Sequence, residues 1–223
     1  MGKEKKQPRE CAYCGEIKMP TDDHVIPQCL FNKPLPGNMI VVEACQECNS
    51  LKSKDDDYLR DYLVTHLSTY EQEVPKRLFE GKMSRSIQRN SSSFAKEIKT
   101  SKTTNTPFFS NGERLVAVYL DNDRLRDLLE RIVRGLYYHS KGKRIPDDIK
   151  IKVSKFNHNL EEIMERESLV KKYTHILHNI GDGNVFYLLS AFLESECEFT
   201  SYWMLVFYQK FCVEAKIGLL VKE

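Results

Sequence analysis

Apolar and polar positions divide the chain into segments before any chemistry is considered. Leu125, Leu128, Leu129, Ile132, Val133, Leu136 and Tyr137 recur at the spacing of one helix face. They predict a helix over 123–139, capped by Asp121, Asn122 or Asp123. Leu59, Tyr62, Leu63, His66, Leu67 and Tyr70 predict another that takes over from Asp55, with Asp55, Asp56 and Asp57 where acidic side chains suit a helix N-terminus. Val116, Val118 and Tyr119 sit in an apolar run that reads as a strand over 115–120, and Ile149, Ile151 and Val153 alternate as a shorter one would. Aromatic-rich runs at 186–192, 202–208 and 211–217 read most simply as an antiparallel sheet.

These elements imply an α+β chain with four stretches. Residues 1–10 form a polar, basic arm (Lys3, Lys5, Lys6, Arg9), and residues 11–60 a compact unit rich in cysteine and proline. Residues 61–106 continue the helix into a connector, and 107–223 form a mixed domain of one clear helix and an antiparallel sheet. Within the connector, 82–106 is rich in serine and threonine, has weak periodicity and reads as a loop. It carries six cations against Glu97, which makes it the most basic segment and a candidate track for a phosphate backbone.

Composition narrows the class. Hydrophobic residues make up 41% and charged residues 30%, the balance of a globular chain that buries a core. The net charge of +2 neither marks nor excludes a nucleic-acid partner. The longest apolar run, Val185–Leu193, falls short of the roughly 20 residues of a membrane span, and no apolar stretch follows the charged N-terminus. The expected site is cytoplasmic. In that reducing compartment, paired cysteines read as metal ligands or redox groups and not as a disulfide framework.

Cys11 and Cys14 form one C-x2-C knuckle, Cys45 and Cys48 another, with thirty residues between them. Thiolates at this spacing converge on one tetrahedral zinc. Cys29, Cys197 and Cys212 stand outside any such pairing and read as core residues. The intervening loop is longer than that of a zinc ribbon, and it holds Asp22, Asp23, His24 and Pro27, then Gly37 and Asn38. Directly after the last cysteine come Asn49 and, three residues on, Lys52.

Over Cys11–Asp57, about a fifth of the chain, this order of motifs resembles the HNH endonuclease family. The resemblance implies a ββα-metal fold with a structural zinc on the four cysteines. Asp23 and Asn49 would then hold a catalytic Mg²⁺ or Mn²⁺, in keeping with the preference of hard cations for oxygen. His24 would be the base that activates water, and Asn38 would accept a hydrogen bond from its imidazole and fix the ring. Asp22 is a possible further metal contact, and Lys52 a contact to phosphate or a solvated surface lysine. The implied activity is phosphodiester hydrolysis in DNA, with RNA not excluded, by a homodimer or with an activating partner, in restriction, phage defence or mobile elements. The competing expectation is a non-catalytic zinc module that binds nucleic acid or protein. Two further features have bland readings: His175 and His178 could share a metal but lack a third ligand, and Tyr202, Trp203, Phe207, Tyr208 and Phe211 are sheet core before they are a base-stacking platform.

Overall fold

The computed structural model describes residues 7–66, 68–89, 94, 96–97, 108–110, 113–115, 122–155, 174–192 and 197–218. The last residues of the basic arm are not loose: β1 (Arg9–Glu10) pairs with β2 (Ile17–Lys18), and Arg9 meets Glu43 at 3.2 Å. β3 (Pro20–His24) and β4 (Val41–Cys45) run antiparallel, with Asp23 opposite Val42 and His24 opposite Val41. β4 passes directly into α1 (Gln46–Thr65). This is the expected ββα unit.

The helix starts well ahead of Asp55. Cys45 caps α1, its sulfur accepting from the Cys48 amide at 3.5 Å, so the second cysteine knuckle is also the first helical turn. Residues 46–57 show no apolar stripe, which hides the helix from periodicity. Asp55, Asp56 and Asp57 are therefore mid-helix residues and not a helix start. At the other end, α1 stops at Thr65 and does not continue to Tyr70.

α2 (Glu73–Leu78) leads through a π turn at Phe79–Met83 into α3 (Ser84–Gln88), so the front of the expected loop at 82–106 is helical. Beyond Arg89 only Phe94, Lys96 and Glu97 of that basic stretch are described. Of the strand expected over 115–120, Leu115 ends β6 (Glu113–Leu115), which pairs with β5 (Phe108–Ser110); residues 116–120 lie outside the described residues.

α4 (Asn122–Lys141) is the helix its apolar stripe predicts, and all seven stripe residues are buried. It packs on a five-stranded antiparallel sheet of β7 (Ile151–Lys155), β8 (Thr174–Ile180), β9 (Phe186–Phe192), β10 (Ser201–Phe207) and β11 (Phe211–Ile217), in the order β7-β11-β10-β9-β8. Tyr137 of α4 lies against Phe192 and Trp203. The sheet contains one strand that the sequence pattern did not reveal, β8. His175 and His178 both stand on β8, so their i, i+3 spacing is that of a strand and not of a helix turn. Tyr202, Trp203, Phe207, Tyr208 and Phe211 are buried, as the sheet-core reading expects.

The buried side chains of the ββα unit, α4 and the sheet form one continuous cluster. At Gly135 α4 comes close to the ββα unit: a Cβ there would sit 2.9 Å from Val25 Cγ1 and 3.0 Å from the Tyr13 hydroxyl. Gly135→Ala is expected to destabilise the protein by about 1–3 kcal/mol through overpacking, although alanine is the better helix former. Thermal unfolding would show this as a lowered Tm. An unchanged or raised Tm would mean that the two surfaces do not meet there.

Candidate functional site

The four knuckle sulfurs, of Cys11, Cys14, Cys45 and Cys48, all lie within 4.8 Å of one another. A tetrahedral zinc with Zn–S bonds of about 2.3 Å requires sulfur–sulfur edges of about 3.8 Å. The Cys14–Cys45 separation is 3.8 Å. Burial opposes ionisation of the Cys11 thiol, yet the backbone amides of Cys45, Cys14 and Tyr13 more than offset it and bring it down to about 7, whereas burial pushes the Cys45 and Cys48 thiols up. Among the described residues, no other cluster of three or more His, Cys, Asp or Glu ligands gathers in this way. The cluster is a candidate zinc site, and its donor set fits that ion.

A cleft of about 380 Å³ opens beside this cluster, lined by Asp22, Asp23, His24, Asn49, Lys52 and Asp56, among others. The fold therefore brings Asp23, His24, Asn49 and Lys52 together from two elements, the end of β3 and the first turns of α1. Asp23 and His24 are strand neighbours that alternation would separate, but β3 ends at His24 and both side chains reach the cleft. Asn49 lies across from β3: its amide nitrogen donates to Thr21 Oγ1 at 3.0 Å and to the Asp22 carbonyl at 3.3 Å. Asp22 itself is exposed at the cleft wall.

Asp23 is only 3% exposed and receives a donor on each carboxylate oxygen. The Tyr13 hydroxyl donates to Oδ2 at 2.5 Å, and the Lys52 ammonium to Oδ1 at 3.1 Å. Burial first, and then the Asp23 charge, push the Tyr13 phenol upward, which keeps it a donor. Lys52 is equally buried, and it also donates to the His24 carbonyl at 2.5 Å and approaches Asp56 at 3.4 Å. It faces inward, which corrects the expectation of a lysine reaching outward for phosphate.

Asn38 is the second correction. Its amide nitrogen donates to the Asn179 carbonyl at 2.9 Å and its oxygen accepts from the Gly181 amide at 2.8 Å, so the side chain is spent on the turn between β8 and β9. The partner of the His24 ring is Gln28, whose amide nitrogen is 2.9 Å from Nε2 and 3.3 Å from Nδ1. A glutamine four residues after the histidine carries no sequence signal of its own. Only the short helical turn over Gln28–Leu30 folds it back onto the ring. Tyr13 and Asp56 were missed for the same reason, since a tyrosine inside a zinc knuckle and a mid-helix aspartate look ordinary until they are placed.

Asp56 is the least satisfied group in the cleft, with Oδ1 buried and without a hydrogen-bond partner. Burial pushes its carboxyl up, the Lys52 ammonium pulls it back in part, Asp23 pushes again, and the balance is about 6. A second cavity, of about 320 Å³, lies between α4 and strands β7 and β11; it is mainly apolar, with Arg126 and Ser154 at its wall. No family model, curated protein or solved structure matches the chain.

Two outcomes follow from the geometry. Elemental analysis of the purified chain is expected to find zinc, and Cys14→Ala or Cys48→Ala to lose it together with a fall in Tm; zinc retained in both variants would disprove the cluster as the ligand set. Asp56 carries a raised folded-state value, so its ionisation weakens the fold as pH climbs from 3.8 towards about 6, by roughly 3 kcal/mol in full above that window. Asp56→Asn should accordingly gain Tm relative to wild type at pH 8 with no added divalent ion, and lose that gain at pH 4. A difference that does not vary with pH would refute this account of Asp56.

Proposed function

We propose that the chain is a metal-dependent endonuclease of the HNH type that hydrolyses phosphodiester bonds in DNA. The observation that carries this reading is the convergence of Asp23, His24 and Asn49 on one cleft of a ββα unit whose strand and helix are joined at a four-cysteine cluster. Phosphodiester hydrolysis needs a water nucleophile, a group that takes its proton and a charge to offset the phosphate. His24 is the proton acceptor, half-buried at the end of β3. Gln28 touches the ring and sets its orientation, the role expected of Asn38.

Asp23 and Asn49 are the residues that would hold Mg²⁺ or Mn²⁺, and Asp56 Oδ1 in the same cleft, without a hydrogen bond and 3.4 Å from the Lys52 ammonium, adds an oxygen suited to a hard cation. Such an ion, when bound, neutralises charge on the scissile phosphate and the departing oxygen. A zinc on the four cysteines would keep the work separate: Cys48 would hold it and Asn49 follows at once, so the cluster would fix the backbone from which Asn49 projects. With one such cleft among the described residues, nicking is the expected outcome for a monomer, and double-strand cutting requires a dimer.

The two donors on Asp23 favour a second reading, a non-catalytic zinc module that binds nucleic acid or protein and in which Asp23 is purely structural. The readings part on one assay. With Mg²⁺ or Mn²⁺ the wild type should convert supercoiled plasmid to the nicked form, and His24→Ala should slow this by about 100-fold or more. Equal rates in the two proteins, or salt-sensitive binding without cleavage under either metal, would select the second reading.

A further inference from the structure

Lys52 combines features that a phosphate-contact lysine lacks. Its ammonium is buried in the floor of the cleft and is held by Asp23 Oδ1 at 3.1 Å, by the His24 carbonyl at 2.5 Å and by Asp56 at 3.4 Å. A buried ammonium persists only where acceptors and opposite charge replace its water. Here they are the same carboxylate that the proposed reading assigns to a divalent cation, the backbone of the proposed base, and Asp56, whose Oδ2 accepts from the ammonium at 3.5 Å while its buried Oδ1 lies 3.4 Å away without a hydrogen bond. Asp23 and Asp56 bring two negative charges and Lys52 one positive charge to this spot. The pocket thus retains a net negative charge, with its positive centre already seated against Asp23.

We infer that Lys52 is the resident counter-cation of this site: without metal its ammonium holds Asp23 and Asp56, and a divalent ion takes Asp23 only as that ammonium withdraws. The inference rests on the metal-dependent reading proposed above. Like charges a few ångströms apart in a poorly solvated pocket repel strongly, so ammonium and dication do not share one carboxylate oxygen without cost. The lysine stem can swing the ammonium off Asp23, whereas an arginine fork grips a carboxylate at two points and lets go less readily. Lys52 therefore lowers the affinity of the site for metal and at the same time keeps two buried carboxylates compatible with the fold.

The test is direct Mn²⁺ binding to the zinc-loaded full chain, read as the electron paramagnetic resonance signal of free Mn²⁺ and paired with Tm. Lys52→Gln is expected to bind Mn²⁺ on the order of tenfold more tightly than wild type. Its Tm without Mn²⁺ should fall, and Mn²⁺ should raise it by more than it raises that of wild type. Lys52→Arg should bind Mn²⁺ more weakly than wild type. If Lys52→Gln does not fold, the wild type decides: its buried ammonium should give a slowly exchanging ¹⁵N signal, absent from Lys52→Arg, that is lost or shifted by Mg²⁺. Equal or weaker Mn²⁺ binding in Lys52→Gln, or an ammonium signal indifferent to Mg²⁺, would overturn the inference while leaving the nuclease reading in place. No Mn²⁺ binding by wild type or variants would overturn both.

Discussion

The Asp23 carboxylate receives one hydrogen bond from the loop of the first cysteine knuckle, through Tyr13, and one from the second turn of α1, through Lys52. It belongs to neither segment, since it stands on β3. Three pieces of backbone that the sequence holds far apart are thus fastened at one buried charge. Loss of one partner from such an arrangement leaves the other ionised in a poorly solvated place, an outcome worth roughly 3–5 kcal/mol in other proteins. The rest of the cleft is arranged around this point, because His24 follows Asp23 in the chain and Asn49 precedes Lys52 by less than one helical turn.

The remainder of the chain supplies the walls against which this small unit is pressed. On one side Arg131 of α4 lies over the Tyr13 ring and donates to the Cys48 carbonyl at 3.0 Å, and Gly135 lets the helix close on Val25. On another, the sheet reaches the segment that follows the cleft: the Tyr208 hydroxyl donates to the Leu30 carbonyl at 2.9 Å, Pro36 packs at Gly181, and Asn38 is tied to the turn between β8 and β9. Phe31 and Leu35, which line the cleft, lie within that tethered segment. A unit of about fifty residues has too little interior to stabilise itself unaided. The cysteine cluster and the shared core supply what it lacks.

Much of this was legible in the chain, for identifiable reasons. α4 was plain because its stripe runs uninterrupted over four turns, and β9, β10 and β11 because aromatic and β-branched residues concentrate there. The cysteine ligands were legible because two residues between thiols is a chemical constraint on spacing. β8 was missed, since Thr174, His175, His178 and Asn179 dilute its apolar alternation. The first turns of α1 leave no trace in the periodicity, because a helix that turns a polar face to a charged cleft has no apolar stripe to show there; only the resemblance opened a helix at Asn49.

Sequence alone determined which residue types stand close along the chain: the two knuckles, the Asp23–His24 pair, the Asn49 that follows Cys48, and the α+β class of the elements. It could assign Asn38 and Lys52 only the roles that their order in the chain suggested. The tertiary structure decided differently, placing Asn38 on the sheet turn, Gln28 on the imidazole, and Lys52 inward against Asp23 and Asp56. Spacing constrains groups joined by a few bonds of backbone, whereas the partner of a side chain is set by which distant surfaces share a core. For the Asp23–His24 end of β3 those surfaces come from the first knuckle, the first turns of α1, α4 and the five-stranded sheet.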